Sequence, residues 1–507
     1  MRTWVNLLFK AYFRRRMKRV RNYMENPVEV QGQVLRHLLH RARHTEIGRT
    51  NGFSSMTTRE EFSGSLPVRD YEQIKPFIDR MMHGEPDVLW PGQVRFFSKS
   101  SGTTEDKSKF IPVSLENLYD SHIQGTRDTM ALYYHQRPKA RMFWGKSLIM
   151  GGSLAPFPEY PGTIRGDVSA ILNSHVPWYS RPFLTPDPEI VLMANFEEKI
   201  ERMAQALSKE PMLVAIGGVP TWTVVLLRRI LEITGKSNLL EVWPNIEAYI
   251  HGGVSFVPYK EQFFDFFPTK DFNYQEVYNA SEGYFAAQND FRSDDMLLLL
   301  DSNIYYEFLP MEEWEKPDPK AIPLEKVEKG KVYAMVISNN GGLWRYNIGD
   351  TVTFTSICPY KIKITGRTKQ FINAFGEELM VENADRALAM TCEALHAVVS
   401  EYTAAPIYFE GAGRGGHQWI VEFKEAPVNV EQFADLLDLN LQRLNSDYEA
   451  KRYKGMALER LHLQAVPPGT FVLWMKHRGK YGGQHKVPRL ANHREFVEDV
   501  LRFIENK

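Results

Sequence analysis

Short apolar runs alternate with amphipathic helical segments through the middle of the chain, between residues 96 and 355. The apolar runs include KSLIMGG, PMLVAIGG and VYAMVIS, and the helical segments include FEEKIERMAQALSKE and TWTVVLLRRILEITG. Strand-sized runs separated by helices are typical of α/β proteins, in which helices cover the apolar faces of the sheets. We therefore expect a large α/β domain with more than one sheet, preceded by a mainly helical region over residues 1–95.

A smaller pattern begins after residue 366. It reads as a helix (VENADRALAMTCEAL), a strand region (AVVSEYTAAPIYFE), a strand (HQWIVEFK) and a helix (NVEQFADLLDLNLQRLN). A chain of 507 residues is too long for one hydrophobic core, so a second domain is expected on length alone. We place the boundary near residues 366–370, which gives a large domain over 1–367 and a small α+β domain over 368–507.

The overall composition excludes several classes of protein. With 62 basic and 62 acidic side chains, the chain has no net field that attracts nucleic acid or an anionic membrane. Cys358 and Cys392 do not form a spaced pair, which argues against a disulfide framework or a zinc cluster and fits the cytoplasm. No apolar run approaches the roughly 20 residues of a membrane helix, so we expect no integral membrane segment.

The N-terminal segment MRTWVNLLFKAYFRRRMKRVRNYM is basic and aromatic, with no acidic residue before Glu25. Its charges follow the short apolar part and no small-residue cleavage site is present, which argues against a signal peptide. An amphipathic helix on a membrane surface is one interpretation. The balanced charge of the whole chain favours the other, a first helix docked on the main domain through Trp4, Leu7, Leu8 and Tyr12.

Three segments imitate known motifs without meeting their requirements. ITGKSN lacks the first glycine of a P-loop, because position 230 is Ile, and we expect Gly235 to end the preceding helix. GAGRGG (411–416) has strand patterns on both sides, which favours a hairpin turn over a dinucleotide fingerprint. HLLHRARH (37–44) lacks the acidic partner of a metalloprotease motif and is interpreted as a polar helix face.

Residues 96–112, FFSKSSGTTEDKSKFIP, concentrate hydroxyl side chains and lysines. We expect the phenylalanine pair to end a strand and residues 98–108 to form a polar loop. Hydroxyls and loop amides together can surround phosphate oxygens, with Lys107 or Lys109 adding charge. The alternative interpretation is a solvated hairpin loop.

The segment VYNASEGYFAAQ (277–288) places Tyr278 and Glu282 in a run with little other charge. A tyrosine ring can stack on a base, and a lone carboxylate can bind Mg²⁺ through oxygen. The alternative is a strand end that packs Tyr278 and leaves Glu282 in water.

Two more segments carry single polar residues in distinctive contexts. In GGLWRYNIGDTVTF (341–354), Asp350 follows Gly349, and a carboxylate there can accept hydrogen bonds from the two vicinal hydroxyls of a ribose. The alternative is an aspartate turn. In GKYGGQHKVPRL (479–490), Lys486 lies in a basic, glycine-rich loop, and the alternative is a solvated cation.

A fifth segment, KIKITGRTKQFINAFGEELMVENADRAL (361–388), joins the two predicted domains. It is interpreted as a strand, the pair Gly366-Arg367, a second short strand, a turn at Gly376 and a capped helix. Its position makes it the candidate connection between the large and small parts of the chain.

In their order along the chain, these segments resemble the motifs of the adenylate-forming superfamily of acyl-CoA synthetases, firefly luciferase and peptide-synthetase adenylation domains. Within it, the chain resembles the plant auxin-responsive acyl acid amido synthetases, the Gretchen Hagen family, and their bacterial relatives. The resemblance rests on a phosphate loop, a tyrosine-to-glutamate motif, a ribose-binding aspartate motif, a hinge and a C-terminal lysine segment. They are matched by Ser100 to Thr104 with Lys109 and Pro112, Tyr278 to Glu282, Arg345 to Asp350, Gly366-Arg367 with Gly376-Glu377, and Lys486.

The chain departs from the superfamily pattern at two places. Glu105-Asp106 stands in the phosphate loop where many members have more glycine, and Asn279-Ala280-Ser281 replaces the commoner glycine–serine or glycine–threonine form. The first departure brings two acids close to the expected position of a polyphosphate.

The resemblance implies a large multi-sheet domain of the adenylate-forming type joined by a hinge to a smaller α+β domain, which rotates between two half-reactions. It implies ATP-dependent adenylation of a carboxylic acid with release of pyrophosphate, then acyl transfer to an amine, in particular an amino acid. It implies ATP and Mg²⁺ as cofactors and gives no role to nucleic acid. The alternatives are a thioester-forming ligase and, from another class, a non-catalytic nucleotide-binding protein.

The resemblance also assigns roles to individual residues. Lys486 bridges the substrate carboxylate and the α-phosphate, and Glu282 binds Mg²⁺; both are counted as catalytic. Tyr278 stacks on adenine, Asp350 binds the ribose and Arg367 the ribose or a phosphate. The remaining nucleotide-binding residues are Ser100, Ser101, Thr103, Thr104, Lys109, Gly252, Gly253 and Ser281. Candidates for the acyl pocket are Arg127, Trp178, Val219 and Trp222, with a solvated charge as the alternative for Arg127 and core packing for the other three.

Overall fold

The structure is a computed structural model. It describes residues 2–101, 108–254, 256, 259–314, 316–368, 371–408, 415–453, 457–478 and 487–505. The chain divides into two compact units. The larger unit comprises Met1–Ser100, Phe110–Gly253 and Phe263–Thr368, and the smaller comprises Ser101–Lys109, Val254–Gln262 and Lys369–Lys507.

The larger unit begins with the predicted helical region. Two of its helices start at capping boxes, in which Thr58 pairs with Glu61 and Asp70 pairs with Gln73, so that backbone amides of the first turn are satisfied. The helices are α1 (Arg2–Glu25), α2 (Pro27–Ala42), α3 (Glu46–Thr50), α4 (Arg59–Ser65) and α5 (Tyr71–Met82).

A small sheet with the strand order β2-β1-β5-β4 follows. Its strands are β1 (Phe96–Ser101), β2 (Ser108–Val113), β4 (Leu154–Pro156) and β5 (Ile164–Gly166), and β3 (Lys146–Ile149) belongs to the next sheet. The expectation that the phenylalanine pair ends a strand is wrong. Phe96 begins β1, and the strand continues through the serines to Ser101, because β1 pairs with β5 from Phe96 onward.

The main sheet has the strand order β12-β11-β13-β14-β15-β10-β9-β8-β7-β6-β3. Strands β3, β6, β7 and β8 are mutually parallel, and the pairs from β8 to β12 are antiparallel. The remaining strands are β6 (Leu213–Gly218), β7 (Ala248–His251), β8 (Asn273–Ala280), β9 (Gly283–Ala287), β10 (Met296–Leu298), β11 (Ile304–Pro310), β12 (Ile322–Pro323), β13 (Val332–Asn339), β14 (Tyr346–Ile357) and β15 (Tyr360–Arg367).

Helices lie between the strands, as the alternating pattern predicts. They are α6 (Leu115–Asn117), α7 (Ile123–Gln136), α8 (Val168–Ser174), α9 (Pro188–Val191), α10 (Phe196–Leu207), α11 (Pro220–Thr234) and α12 (Lys260–Phe266), with a π-helical turn at Leu118–His122. Gly235 caps α11 in a left-handed conformation, which confirms that ITGKSN ends a helix. HLLHRARH lies in and just after α2.

The smaller unit is built around a sheet with the order β18-β19-β20, in which β18 and β19 are antiparallel. Its strands are β16 (Phe371–Ile372), β17 (Leu379–Met380), β18 (Val398–Ile407), β19 (Gly416–Glu425) and β20 (His462–Val466). Its helices are α13 (Val381–Leu395), α14 (Val430–Leu444), α15 (Ser446–Arg452), α16 (Thr470–His477) and α17 (Glu495–Glu505). Most of GAGRGG lies outside the described residues. The predicted fold class, α/β with a smaller α+β part, is confirmed.

Among the described residues, no helix combines the length and the apolar character of a membrane-spanning segment.

The first helix packs on the larger unit, but not through the predicted residues. Trp4, Leu7, Leu8 and Tyr12 are exposed. The helix instead buries the stripe that contains Phe13, Met17, Val20 and Tyr23, and Phe9 stacks on Phe143 with ring centroids 3.8 Å apart. Both stripes recur at helical spacing, so the choice between them depends on the residues that α1 meets in the fold.

Arg16 anchors this helix through a buried ion pair. Its guanidinium donates two hydrogen bonds to the carboxylate of Asp128 on α7, and its Nη2 also lies 2.9 Å from Oδ1 of Asp301. The Arg16 side chain is 7% exposed and that of Asp128 is 0% exposed. Burial raises the pKa of Asp128 to about 6, although Arg16 opposes the increase.

Replacing Arg16 with Met is expected to destabilise the larger unit by about 3–5 kcal/mol, because the buried carboxylate of Asp128 and the partly buried carboxylate of Asp301 then lose their cation. Raised carboxyl pKa values mean that protonation favours the folded state. Without Arg16, which lowers it, the pKa of Asp128 rises further above the value of about 6 that it has in the parent chain, so the deficit should shrink as the pH is lowered from 8 to 6. Urea unfolding measures both effects when the variant is compared with Arg14→Met, which replaces an exposed arginine two residues earlier on the same helix. Equal stability of the two variants would contradict the anchoring role.

Candidate functional site

Several predicted site residues lie at the carboxyl ends of adjacent parallel strands. Gly252 and Gly253 directly follow β7, and Ser281 and Glu282 directly follow β8. In sheets with parallel strands, ligands bind characteristically at this edge, where the loops leave the strands. The fold therefore collects these four residues at a position suited to a ligand.

Gly252 and Gly253 are required by the close approach of neighbouring backbone. A Cβ atom on Gly252 would lie 2.3 Å from the carbonyl oxygen of Val277, which precedes Tyr278. Gly253 has a φ of +86° and faces the side chain of Val219. The two glycines therefore bring the end of β7 against the strand that carries Tyr278, and Val219, an acyl-pocket candidate, lies beside them.

Strand β1 reaches the same turn through a serine pair. The hydroxyl of Ser98 donates a hydrogen bond to Oγ of Ser281 at 2.9 Å, and Ser98 is fully buried. Because side chains alternate along a strand, Ser100 lies on the same face of β1 as Ser98. The beginning of the predicted phosphate segment is thus fixed beside the turn that carries Glu282. Ser98 was not among the predicted site residues, and its only sequence signal is its place in the serine-rich run.

The predicted phosphate-loop residues and the predicted catalytic lysine are only partly covered by the described residues. Thr103, Thr104 and Lys486 lie outside the described residues, as does the side chain of Ser101. Lys109 lies in β2 and is half-buried. The roles of these five residues, like those of the other predicted site residues, remain predictions.

Asp350 is held by two of the other predicted residues. Its Oδ1 accepts from Nε of Arg367 at 2.8 Å, and its Oδ2 accepts from the hydroxyl of Tyr278. Asp350 lies within β14, opposite Arg367 of β15, so the alternative interpretation of an aspartate turn is wrong and the residue is part of a strand pair. The left-handed φ of +85° at Gly349 bends the strand just before it.

Tyr278, on β8, is buried. Its ring meets Phe285 edge-on, with centroids 4.8 Å apart, and its hydroxyl bonds to Asp350. Burial raises the pKa of Tyr278 well above its ordinary value, and the charge of Asp350 adds to the shift. Tyr278 therefore stays neutral and acts as a hydrogen-bond donor. Its predicted stacking on adenine is a separate matter that remains a prediction.

Glu282 lies in the same region as Tyr278. Glu282 is 9% exposed, and its backbone carbonyl accepts a hydrogen bond from Nδ2 of Asn339 at 2.6 Å. Its negative charge contributes to the raised pKa of both Tyr278 and Tyr346, after the larger effect of burial. A carboxylate, two tyrosines and the Asp350–Arg367 pair thus share one region of the larger unit.

Glu282 is the residue of this region that the sequence analysis predicts to bind Mg²⁺. Among the described residues, no group of three or more His, Cys, Asp or Glu side chains is arranged to hold a metal ion. Mg²⁺ is commonly bound by one or two carboxylates together with substrate phosphates rather than by a cage of protein ligands. A single carboxylate at the strand edge fits that mode of binding.

A buried histidine, His122, contacts the end of β8 just before Ser281 and Glu282, and the sequence analysis did not single it out. Nδ1 of His122 lies 3.0 Å from Oδ1 of Asn279, and burial lowers the pKa of His122 to about 4. The ring is therefore neutral at physiological pH and carries its proton on Nδ1 towards the asparagine. His122 ends the π-helical turn, a rare element that often occurs at functional sites.

In the smaller unit, Glu377 fixes the turn at Gly376. Its carboxylate accepts from the backbone amide of Phe375 at 2.7 Å and from that of Ala374 at 3.3 Å, and it lies 2.8 Å from Nε2 of His417. Glu377 and His417 are both fully buried. Gly376-Glu377 is therefore a buried, hydrogen-bonded turn, and its part in a hinge remains a prediction.

Comparison with known families matches three domains in the order of the chain. The GH3 family N-terminal domain matches residues 16–272, the GH3 family central domain matches 297–367 and the GH3 family C-terminal domain matches 382–495. The first match alone covers half of the chain.

Curated relatives match over nearly their whole length. Indole-3-acetic acid-amido synthetase GH3.6 of Arabidopsis thaliana is 22% identical over 93% of this chain and 90% of its own. The 4-substituted benzoates-glutamate ligase GH3.12 of the same plant is 22% identical over 85% of this chain and 87% of its own.

Solved structures share the fold. GH3.15 acyl acid amido synthetase matches with a TM-score of 0.60 at 18% identity, covering 96% of this chain and 95% of that chain. A 2-hydroxyisobutyryl-CoA ligase matches with a TM-score of 0.55 at 15% identity, covering 95% and 93%. The predicted resemblance to adenylate-forming enzymes is confirmed at the level of the fold.

Gly252→Ala is expected to lower the stability of the larger unit by about 1–3 kcal/mol. The new methyl group would clash with the backbone oxygen of Val277, which cannot move aside as a flexible side chain can. Gly64→Ala is the matched control, since a Cβ there meets nothing within 4 Å and alanine favours the helix α4. Urea unfolding of the two variants tests the close approach. A Gly252→Ala protein as stable as the control would show that β7 and β8 can separate.

Proposed function

Because the chain belongs to the GH3 family, we propose that it is an AMP-forming ligase, which activates a carboxylic acid with ATP and transfers the acyl group to an amine. The observation that carries this proposal is the match to all three domains of the family in sequence order. The proposal is also supported by a group of predicted site residues that lie in one region of the larger unit: Gly252, Tyr278, Ser281, Glu282, Asp350 and Arg367.

The first half-reaction forms an acyl-adenylate. An oxygen of the substrate carboxylate attacks the α-phosphorus of ATP, a P–O bond forms, and the bond from that phosphorus to the bridging oxygen breaks. Pyrophosphate leaves with the bond electrons. The barrier is largely electrostatic, since two anions approach each other, and fixed donors and cations lower it.

The second half-reaction forms the amide. The nitrogen of a neutral amine attacks the carbonyl carbon of the acyl-adenylate, the C–O bond to the phosphate breaks, and AMP leaves. The nitrogen loses a proton, which yields the neutral amide. The relatives named as indole-3-acetic acid-amido synthetase and as a benzoate–glutamate ligase make an aromatic acid and an amino acid the first substrates to try.

In this proposal the described residues bind and orient the nucleotide. Asp350 accepts from the ribose hydroxyls. A carboxylate has about four acceptor sites, so its bonds to Tyr278 and Arg367 leave room for a ligand. Ser100 and Ser281 donate to phosphate oxygens, and Gly252 and Gly253 pass beside the base. Tyr278 faces adenine with its ring, while Arg367 contributes positive charge near the ribose or a phosphate.

Glu282 would hold Mg²⁺ together with the phosphates of ATP. When bound, the ion neutralises charge on the phosphate oxygens and orients the leaving group. Lys486 would supply a further positive charge between the substrate carboxylate and the α-phosphate, a role that rests on the family resemblance of its sequence segment. Ser101, Thr103, Thr104 and Lys109 complete the proposed phosphate loop.

Exchange of labelled pyrophosphate into ATP tests the first half-reaction. A panel of carboxylic acids that includes indole-3-acetate and 4-substituted benzoates is expected to contain acids that start the exchange. Amino acids and coenzyme A are then added to separate reactions. An amide product supports the proposal, a thioester identifies a thioester-forming ligase, and absence of exchange with every acid would favour a non-catalytic nucleotide-binding protein.

Glu282→Gln and Asp350→Asn are each expected to lower acid-dependent pyrophosphate exchange by about 10²–10³-fold, since each removes a charge directed at the nucleotide. Both replacements keep the size of the side chain. Thermal melting should change little for Glu282→Gln and should fall modestly for Asp350→Asn, which loses the ion pair with Arg367. Asp271→Asn, at an exposed aspartate on the surface, is the matched control. A folded Glu282→Gln protein with full exchange would contradict the assignment of Mg²⁺ to Glu282.

Lys486→Ala is expected to impair adenylation more than amide formation from a supplied acyl-adenylate, because its charge is needed where two anions meet. The two rates are measured separately in the same preparation, by pyrophosphate exchange and by consumption of synthetic acyl-adenylate with an amine. Lys424→Ala, in the same unit at an exposed position of β19, is the control. An equal loss in both half-reactions would contradict the proposed role.

A further inference from the structure

The first two to three turns of α1 present a second apolar face to solvent. Trp4 is 73% exposed, Leu8 is 71% exposed, Leu7 is 50% exposed and Tyr12 is 47% exposed. The four residues follow the spacing i, i+3, i+4 and i+8, so they share one side of the helix. Exposed apolar residues that occur singly are ordinary, whereas a contiguous patch with two aromatic rings marks a contact surface.

The rest of the exposed surface of this helix is strongly basic. Arg14, Arg15, Lys18, Arg19 and Arg21 are exposed. No acidic residue occurs in α1 before Glu25. We call the apolar and basic exposed residues of α1 together the outer face.

The outer face is held in place because the opposite face is fixed. Phe9 stacks on Phe143, and Asn6 accepts from the hydroxyl of Tyr134 at 2.8 Å and from the amide of Phe143 at 3.2 Å. Farther along, Arg16 binds Asp128. The helix cannot turn its exposed tryptophan and leucines inward without breaking these contacts.

We propose that the outer face of α1 binds the surface of an anionic lipid bilayer. Tryptophan and tyrosine favour the boundary between headgroups and acyl chains, and leucine inserts just below it. Arginine and lysine on the following turns contact lipid phosphates and carboxylates. The patch thus offers both kinds of interaction that a surface helix needs, on a helix that lies along the protein rather than across a membrane.

The chemistry of the outer face favours a bilayer over other partners. A nucleic acid would use the cations but leave Trp4, Leu7 and Leu8 in water. A second copy of the chain, packed face to face, would bring like charges together. The family match starts at residue 16, so the apolar part of this face precedes the matched segment and the proposal goes beyond the proposed ligase activity.

The test is co-sedimentation of the full chain with vesicles of phosphatidylcholine, with and without phosphatidylserine, at low and high salt. We expect binding to the anionic vesicles, little binding to the neutral ones, and release by salt. The variants Trp4→Ser/Leu8→Ser and Arg15→Glu/Lys18→Glu are each expected to weaken binding to anionic vesicles by about tenfold or more.

Matched controls distinguish binding through the outer face from nonspecific hydrophobic or electrostatic adsorption of the protein. Phe264→Ser/Val428→Ser removes exposed apolar side chains elsewhere, and Lys270→Glu/Lys329→Glu reverses exposed charges elsewhere. Neither control should change vesicle binding, and both α1 variants should keep their melting temperature and pyrophosphate exchange without vesicles. Quenching of Trp4 fluorescence by brominated lipid, taken as the difference between the parent chain and Trp4→Ser, reports insertion.

Four results would overturn the proposal. They are no binding to anionic vesicles, equal binding to neutral vesicles, loss of binding in the controls as large as in the α1 variants, and binding that Trp4→Ser/Leu8→Ser leaves unchanged. In the last case, retention of a DNA fragment that depends on Arg15 and Lys18 would identify a polyanion partner instead. A dimer in sedimentation velocity that Trp4→Ser/Leu8→Ser dissociates would identify a second copy.

Discussion

The candidate site depends on the carboxylate of Asp350, which binds both Arg367 and Tyr278. Arg367 lies opposite it on the neighbouring strand, whereas Tyr278 comes from β8, which is not a neighbour of β14 in the sheet. One side chain therefore joins strands that the backbone ladder does not pair. Because an ion pair and a hydrogen bond share the carboxylate, its orientation is set before any ligand arrives, and preorganised charge is what transition-state stabilisation requires.

The close approach of β7 to β8 supplies the second constraint. Gly252 allows the backbone of Val277 to lie where a side chain would otherwise stand, and Ser281 then meets Ser98 of β1. The small residues and the charged residues thus have different tasks. The small residues let segments from distant parts of the chain lie close together. The charged residues are those to which the proposed function assigns the chemistry. This division explains why motifs that are weak singly form one region in the fold.

The sequence predicted the fold class, the helix end at Gly235 and four elements of the smaller unit, α13, β18, β19 and α14, because each depends on local periodicity or backbone preference. It left an aspartate turn open for Asp350, since the pair Gly349-Asp350 is typical of turns, whereas pairing with Arg367 keeps the residue in a strand. It also missed Ser98 and His122. Their importance arises from Ser281 and Asn279, which lie far away in sequence, and no local pattern encodes such partners.

The first helix shows the same limit and adds a point about charge. Its two apolar stripes are equivalent in sequence, and the partners Phe143 and Asp128 select the one with Phe13 for burial. A second point concerns charge: the net charge of zero describes the whole chain but not the electrostatic field close to α1. Exposed charges are screened beyond about 8 Å at physiological ionic strength, so a surface at contact distance responds to the nearest cations rather than to acids elsewhere. A neutral chain can therefore carry a strongly basic face, and whole-chain balance is a poor argument against an anionic partner.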